Sequence, residues 1–350
     1  MHFPSAFLLA AALATSNALN ILVGNDDGFG SANIREFYRL LKAAGHDAWI
    51  VAPIDNESGQ GGRAVFTTEA KLTKPTEYDL VPAGAPSFGT DPHDSHIWYY
   101  NGTPAACTFF ALDYVVPKFT GWKKVDLFVS GPNFGLNAGP FFYTLSGTIG
   151  ATYAAVERGI PGIAYSDATA EQRSYTYINK TTPTGYPDRA TIYAQASVDL
   201  VQQVIAGASN KSQLLPYGYG ISVNYPFVTS FTNTSCVKPK FIQTRMTGGA
   251  QVDKAVFNET SKLFTFGNTD GPGLNTCING DCSLPGETTV VNGPNCESSV
   301  SVFTVDYDAP STKATAAVRE GLCPLVEYEK HKVKREDAEE RMRKGRYFHE

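Results

Sequence analysis

The sequence predicts an α/β fold: a doubly wound, mostly parallel sheet with helices on both faces, followed by an irregular β-rich region that contains disulfides. Three observations carry this. Short apolar runs alternate with segments of helical periodicity between Asn20 and Asn224, the rhythm of parallel strands joined by crossover helices. Right-handed crossovers then cover both faces of the sheet. Finally, five of the six cysteines (Cys236, Cys277, Cys282, Cys296 and Cys323) crowd into the last third of the chain, which suits disulfides formed in an oxidising compartment.

The elements follow in order. NILVG (Asn20 to Gly24) is a strand. Ser31 to Ala44 places Ile34, Phe37, Tyr38 and Leu41 at helical spacing, and Gly45 supplies the stop. DAWIVA (Asp47 to Ala52) is the next strand. Pro82 to His96, rich in Pro, Gly and Asp, reads as an inserted loop. Thr103 to Val116 is helical, with Pro104 in its first turn and Pro117 closing it. VDLFV (Val125 to Val129) is a strand, Ser146 to Arg158 a helix ended by Gly159, and GIAY (Gly162 to Tyr165) a strand. Ala168 to Asp188 reads as a second loop insert. A helix over Thr191 to Ile205 and the strand ISVN (Ile221 to Asn224) close the series. Asn233 to Asp306 shows only short β-like runs, such as Lys262–Phe266 and Ser301–Val305.

Composition limits what the chain does. It has 29 Lys and Arg against 34 Asp and Glu, a net charge of −5. No basic excess marks a nucleic-acid surface, and no acidic run marks a solvating tail. The apolar run FLLAAALA (Phe7 to Ala14) is too short to span a bilayer, which takes about 20 residues. With Ser16-Asn17-Ala18 behind it, it reads as a signal peptide cleaved after Ala18. No later stretch predicts a membrane anchor. The expected product is secreted or delivered to a vacuole, and six N-x-S/T sequons agree, at Asn56, Asn101, Asn179, Asn210, Asn233 and Asn258. Asn56 and Asn101 are discounted, because glycans there would obstruct the site described next. No C-x-x-C or Cys/His spacing marks a zinc site. Cys107, in an apolar helical run, reads as a buried thiol, and spacing leaves the disulfide connectivity open. The predicted organisation is a signal peptide over residues 1–18, an α/β unit over 19–232, a cysteine-rich β-like extension over 233–325 packed on it, and a charged helical tail over 326–350.

Ligands of open α/β sheets bind outside the carboxyl ends of the strands, and four segments there carry usable chemistry. Asn25-Asp26-Asp27-Gly28 follows the first strand. Two adjacent carboxylates repel unless a cation or proton offsets them, and hard divalent ions take such oxygens. A solvated surface loop would also tolerate the pair. Ser58-Gly59-Gln60-Gly61-Gly62 follows the second strand, with a hydroxyl and exposed amides. Ser130 to Gly139 (SGPNFGLNAG) offers the amide oxygens of Asn133 and Asn137. Ser146-Gly147-Thr148 opens a helix, where hydroxyls and free amides favour phosphate, although plain N-capping by Ser146 explains the tripeptide better when it is taken alone. Together they compose one site, with Asp26, Asp27, Ser58 and Asn133 on a cation and Ser146 to Thr148 cradling phosphate.

The strings ILVGNDDGFGS, VAPIDNESGQG, NGTPAACT, LFVSGPNFGLNAG and SGTIGATYAAVERGIPGIAYS, in this order, resemble the SurE family of survival-protein nucleotidases and acid phosphatases. The resemblance runs from Asn20 to Ser166, with weaker echoes to Pro226. It implies a Rossmann-like fold and divalent-metal-dependent hydrolysis of phosphomonoesters, typically nucleoside 5′- and 3′-monophosphates, with one Mg²⁺ or Mn²⁺ ion. It places the metal on Asp26, Asp27, Ser58 and Asn133, the set reached above. By the same comparison Asn25, Asn137, Ser146, Gly147 and Thr148 line the phosphate pocket, with Asn25 beside the paired aspartates in catalysis. Leu145 precedes the S-G-T where the family usually has an aromatic or His, and Ala106 follows N-G-T-P where Asp is common. The cysteine-rich C-terminal third is unlike that of the compact bacterial members, whose C-terminal elements build a dimer, so a homodimer is an expectation carried by the family alone. The expected partner is a small-molecule phosphomonoester, with no nucleic-acid polymer and no membrane. His93 and His96, in the inserted loop, read as solvated, which leaves one of the paired aspartates as base. Three rivals remain at this level: a secreted nucleoside hydrolase, which also holds a cation on first-strand aspartates, an inactive binding protein on the same scaffold, and a broad acid phosphatase acting on many phosphomonoesters, which sequence hardly separates from a strict nucleotidase.

Overall fold

A computed structural model of the chain describes residues 18–169, 171–208, 213–246, 253–268, 277, 279–323 and 325–326. The predicted signal segment up to residue 17, the charged tail from residue 327 and the sequon at Asn210 lie outside the described residues. The secondary structure begins with β1 (Asn20–Gly24), α1 (Ala32–Ala43), β2 (Asp47–Pro53), β3 (Phe88–Asp91), β4 (Asp94–Tyr100) and α2 (Pro104–Phe110). It continues with β5 (Leu127–Phe134), α3 (Pro140–Leu145), α4 (Gly147–Glu157), β6 (Gly162–Asp167), α5 (Arg189–Gly207) and β7 (Tyr219–Tyr225). The last part holds β8 (Lys240–Thr244), β9 (Asp253–Asn258), β10 (Leu263–Asn268), α6 (Glu287–Val291), β11 (Glu297–Thr304) and α7 (Lys313–Gly321).

Nine strands form one sheet in the order β3-β4-β2-β1-β5-β6-β7-β11-β8. From β4 to β7 every pairing is parallel, as the strand–helix alternation predicts. The central strands are apolar on both faces because helices cover both. Ile21 and Val23 of β1 point into one core with Ile34, Phe37 and Leu41 of α1 and Tyr193 and Val201 of α5. Leu22, between them, points into the other with Trp49, Trp98, Phe128, Ala151 and Ala155. This is period-two alternation with both sides dry. Each fully buried Phe or Leu contributes on the order of 2 kcal/mol, so these faces fix the strand register. Helix ends follow their local chemistry: Ser146 caps α4 by accepting from the Ile149 N–H (3.2 Å), and Asp188 caps α5 by accepting from the Ala190 N–H (3.0 Å).

Three expectations need correction. The Pro82–His96 segment is not all loop: β3 and β4 form an antiparallel hairpin from it, and β4 joins β2 in parallel. The signal was the aromatic run IWYY at the end of β4, where Ile97, Trp98, Tyr99 and Tyr100 are buried, and the Pro/Gly/Asp content upstream obscured it. The strand at Ile221–Asn224 does not close the sheet, because β11 pairs antiparallel with β7 and β8 pairs parallel with β11. Two strands of the cysteine-rich region thus extend the main sheet. Lastly, Pro117 does not end its helix; Ala111–Thr120 continues past α2 in wider π-type turns with Pro117 inside.

Two disulfides close in the C-terminal region, Cys236–Cys296 and Cys277–Cys282. Cys107 is a buried free thiol, as predicted, and Cys323 is free and exposed. The β9–β10 hairpin forms a separate two-stranded sheet. No helix among the described residues is long and apolar enough to cross a membrane.

Candidate active site

The chain runs from β1 to β2 on one side of the sheet and returns to β5 on the other, so the crevice at the carboxyl end of β1 is the switch point at which such sheets bind ligands. The NDDG loop leaves β1 there. Asn25, Asp26 and Asp27 are all buried, at 1%, 2% and 1% exposure. Gly28 follows at φ +95°, a conformation L side chains rarely adopt, and it turns the loop back toward α1. Asn25 holds the turn by donating to the Gly28 carbonyl (2.9 Å) and to Ser31 Oγ (3.1 Å).

The two aspartates are held differently. Asp26 Oδ1 accepts the Thr148 hydroxyl at 2.6 Å, and the backbone N–H groups of Gly147 and Thr148 also stabilise its charge. The carboxylate therefore occupies the N-terminal end of α4. Gly147 is required by that approach: a Cβ there would lie 2.9 Å from Asp26 Cβ and 2.9 Å from Pro104 Cγ. Asp27 Oδ2 accepts the Phe134 N–H (3.2 Å), while its Oδ1 is buried without a partner. Burial raises the pKa of Asp26, against those hydrogen bonds. Burial raises that of Asp27 well above the ordinary value, and the charges of Asp26, Asp167 and Glu77 push it further. Two desolvated carboxylates side by side are costly as a pair of anions.

Asn133 does not lie in a loop after the strand, as its sequence context predicts, but in β5 itself. That strand runs on to Phe134 with a register shift between Ser130 and Asn133. Gly131 sits at φ +96°, and a Cβ there would collide with the Tyr165 carbonyl. Just past the irregularity, the Phe134 N–H reaches Asp27 of the β1 loop, with Asn133 the residue before it. Its Nδ2 donates to the Gly135 carbonyl (2.7 Å), and its Oδ1 is buried and unpartnered, as are Asn25 Oδ1 and Ser130 Oγ. Asn137 donates through Nδ2 to Ser166 Oγ (2.7 Å) and through its backbone N–H to Asn224 Oδ1 (2.8 Å). Ser58 is the outlier. It is exposed, and its hydroxyl makes no hydrogen bond with either aspartate among the described residues. Its loop is nevertheless tethered here, since the Glu57 N–H donates to the Asp26 carbonyl (2.7 Å) and the Gly61 N–H to the Leu145 carbonyl (2.8 Å).

The donor set suits a hard cation. Orphaned acceptor oxygens on Asp27, Asn133, Asn25 and Ser130 are what an oxygen-coordinated divalent ion satisfies. The two aspartates, with these amide and hydroxyl oxygens, are the residues that would hold such an ion; no group of three or more His, Cys, Asp or Glu among the described residues forms a metal-binding cluster.

Several supporting residues carried no sequence motif. Gln172, in the Ala168–Asp188 insert, donates to the Asp27 carbonyl (2.7 Å) and to Glu77, and accepts from Asn56. Burial lifts Glu77 to about 7. Asp167, at the end of β6, also rises to about 7 through burial and accepts from Asn33 (2.7 Å). The strand-end rule would have found Asp167 and Asn224; nothing in the sequence marks Gln172 or Glu77.

Residues 21–251 match the family described as Survival protein SurE. The chain is 46% identical to an acid phosphatase of Yarrowia lipolytica over 299 residues, covering 85% of this chain and 82% of that protein. It is 32% identical to a 5′-nucleotidase SurE of Desulfovibrio desulfuricans over 148 residues, covering 42% of this chain and 49% of that one. The crystal structure of the SurE protein from Aquifex aeolicus superposes with a TM-score of 0.57 at 23% identity, covering 86% of this chain and 99% of that one. That likeness bears on the fold alone.

Proposed function

The chain belongs to the SurE family of acid phosphatases and 5′-nucleotidases, and we propose that it is a secreted, divalent-metal-dependent phosphomonoesterase acting on nucleoside 5′- and 3′-monophosphates and related phosphate monoesters. One observation carries this reading: two adjacent, buried aspartates sit at the switch point of the sheet, Asp26 against the N-terminus of α4 and Asp27 with a buried carboxylate oxygen that no protein group satisfies.

A bound Mg²⁺ or Mn²⁺ supplies Lewis-acid polarisation of a phosphate oxygen and lowers the pKa of a bound water. The chain does the rest. Thr148 fixes one oxygen of Asp26 and the Phe134 N–H fixes one of Asp27, which leaves Asp27 Oδ1 as an oxygen that would hold such an ion. The Ser146 hydroxyl, whose oxygen already accepts from Ile149, keeps its proton free to donate to a phosphoryl oxygen. With Asn137 it opposes the charge that builds on the equatorial oxygens. Water attacks phosphorus and gives its proton to one of the paired aspartates. The P–O ester bond breaks, and that aspartate returns the proton to the leaving oxygen, so that alcohol and phosphate are released and the carboxylate is restored.

The test is phosphate release from AMP, 3′-AMP, p-nitrophenyl phosphate and polyphosphate with Mg²⁺, Mn²⁺ or EDTA across pH. The expected outcome is metal-dependent release from the monoesters. Free base released from a nucleoside, with no phosphate from AMP, would replace this reading with a nucleoside hydrolase. Asp26→Asn or Asp27→Asn is expected to abolish turnover while the protein stays folded, and an Asp27→Asn enzyme with unchanged kcat would sink the assignment.

A further inference from the structure

Glu287 lies beyond the residues 21–251 that match the family, yet it reaches the loop that carries Asn137. It opens α6 and is fully buried. Its own N–H donates to the Arg245 carbonyl (3.1 Å), and the Arg245 N–H donates to the Pro285 carbonyl (3.0 Å), so the end of β8 fixes its backbone. Its Oε2 accepts the Gly139 N–H at 2.9 Å and lies 3.5 Å from Asn224 Nδ2. Asn224 in turn accepts the Asn137 N–H through Oδ1. One carboxyl oxygen therefore governs both amides on the far side of the loop, Gly139 directly and Asn137 through Asn224.

Gly139 is a junction. It sits at φ +90° and immediately precedes α3, whose C-terminal neighbour is Ser146. The Tyr143 N–H donates to the Gly139 carbonyl (3.0 Å), and the Ser146 N–H to the Phe142 carbonyl (2.9 Å). The position of Gly139 thus sets where α3 begins, and so where the Ser146-Gly147-Thr148 turn stands against Asp26. Buried amides left without their acceptor would shift to find water or another partner.

Resting on the phosphatase reading above, we propose that Glu287 is a positioning residue for phosphate binding, by which the C-terminal extension holds the Asn137 loop and the α3–α4 junction in their binding geometry. It touches no reacting atom.

The experiment compares wild type with Glu287→Ala, Glu287→Asp and Glu287→Gln, each with saturating Mg²⁺. The readouts are KM and kcat for p-nitrophenyl phosphate, calorimetric affinity for inorganic phosphate, and thermal midpoint. Glu287→Gln keeps an acceptor oxygen at the same reach, so KM and phosphate affinity should stay within about 3-fold of wild type. Glu287→Asp retracts the acceptor by one methylene, and Glu287→Ala removes it. Both should raise KM and weaken phosphate binding about 10-fold, with kcat within about 3-fold. If Glu287→Ala does not fold, Glu287→Asp carries the test. Unchanged KM and phosphate affinity in a folded Glu287→Asp enzyme would overturn the proposal, as would a lowered thermal midpoint with no change in KM. A wild-type protein that neither binds phosphate nor releases it from any monoester would instead overturn the phosphatase reading, so the two failures are distinguishable.

Discussion

At the scale of single residues, the site depends on how Asp26 meets α4. Thr148 is fully buried, and its hydroxyl donates to Asp26. Thr148→Val keeps the shape and removes the donor. We expect kcat/KM to fall at least 10-fold, with Thr148→Ser close to wild type; equal kinetics in Val and wild type would show that Asp26 is oriented by other contacts. Gly147→Ala is predicted to be worse, since its methyl would press on both Asp26 and Pro104. Activity should be lost together with a measurable drop in thermal midpoint. Both residues stand out in the sequence, because S-G-T opens a helical run. That the amides of Gly147 and Thr148 are directed at Asp26 was not legible, since it requires α4 and the β1 loop to be brought together across 122 residues of chain.

At the scale of elements, the β5 irregularity and the C-terminal strands decide most. In sequence, SGPNFG after VDLFV reads as a strand ending in a glycine-rich loop. In the structure the strand persists, because Gly131 accepts a positive φ where a side chain would strike Tyr165. Composition cannot tell a loop from a strand that bulges and then resumes pairing with β6. The Cys236–Cys296 disulfide ties the segment before β8 to the start of β11, closing 60 residues. A loop of that length contributes about 4 kcal/mol in the chain-entropy view, far more than the five-residue Cys277–Cys282 closure. A Cys236→Ser/Cys296→Ser double variant is therefore expected to lose roughly 2–4 kcal/mol in urea titration; a loss below about 1 kcal/mol would show that β-sheet pairing alone holds this edge. The sequence showed that disulfides were present, but connectivity needed the strands placed side by side.

For the whole molecule, charge and burial set a pH dependence. Asp167 and Glu287 are fully buried and raised to about 7, so the folded state keeps protons that the unfolded chain releases near pH 4. Unfolding stability of the metal-free protein should then fall as pH rises from about 4 to about 7, by on the order of 1 kcal/mol per pH unit for each such group. His46, lowered by burial, acts in the opposite direction below its usual range. Glu36 and Asp188, lowered by their arginine partners despite burial, add stability that is lost only as pH drops below about 4. Urea midpoints in chelator between pH 4 and 8 check this, and a rising profile would contradict the buried neutral carboxyls. A net charge of −5 is compatible with the proposed anionic substrate, because the proposed site would rely on a cation, amides and hydroxyls rather than a basic surface. The sequence by itself determined the alternating α/β architecture, the place of the NDDG segment after the first strand and that of SGT at a helix N-terminus, since these follow from periodicity and local turn chemistry. Only the tertiary structure decided that the cysteine-rich region extends the sheet, that Asn133 sits on a strand and Ser58 stands exposed, and that Gln172, Asp167, Asn224 and Glu287 support the site. Those relations join residues far apart in the chain, and buried hydrogen bonds between distant side chains leave no local pattern to read.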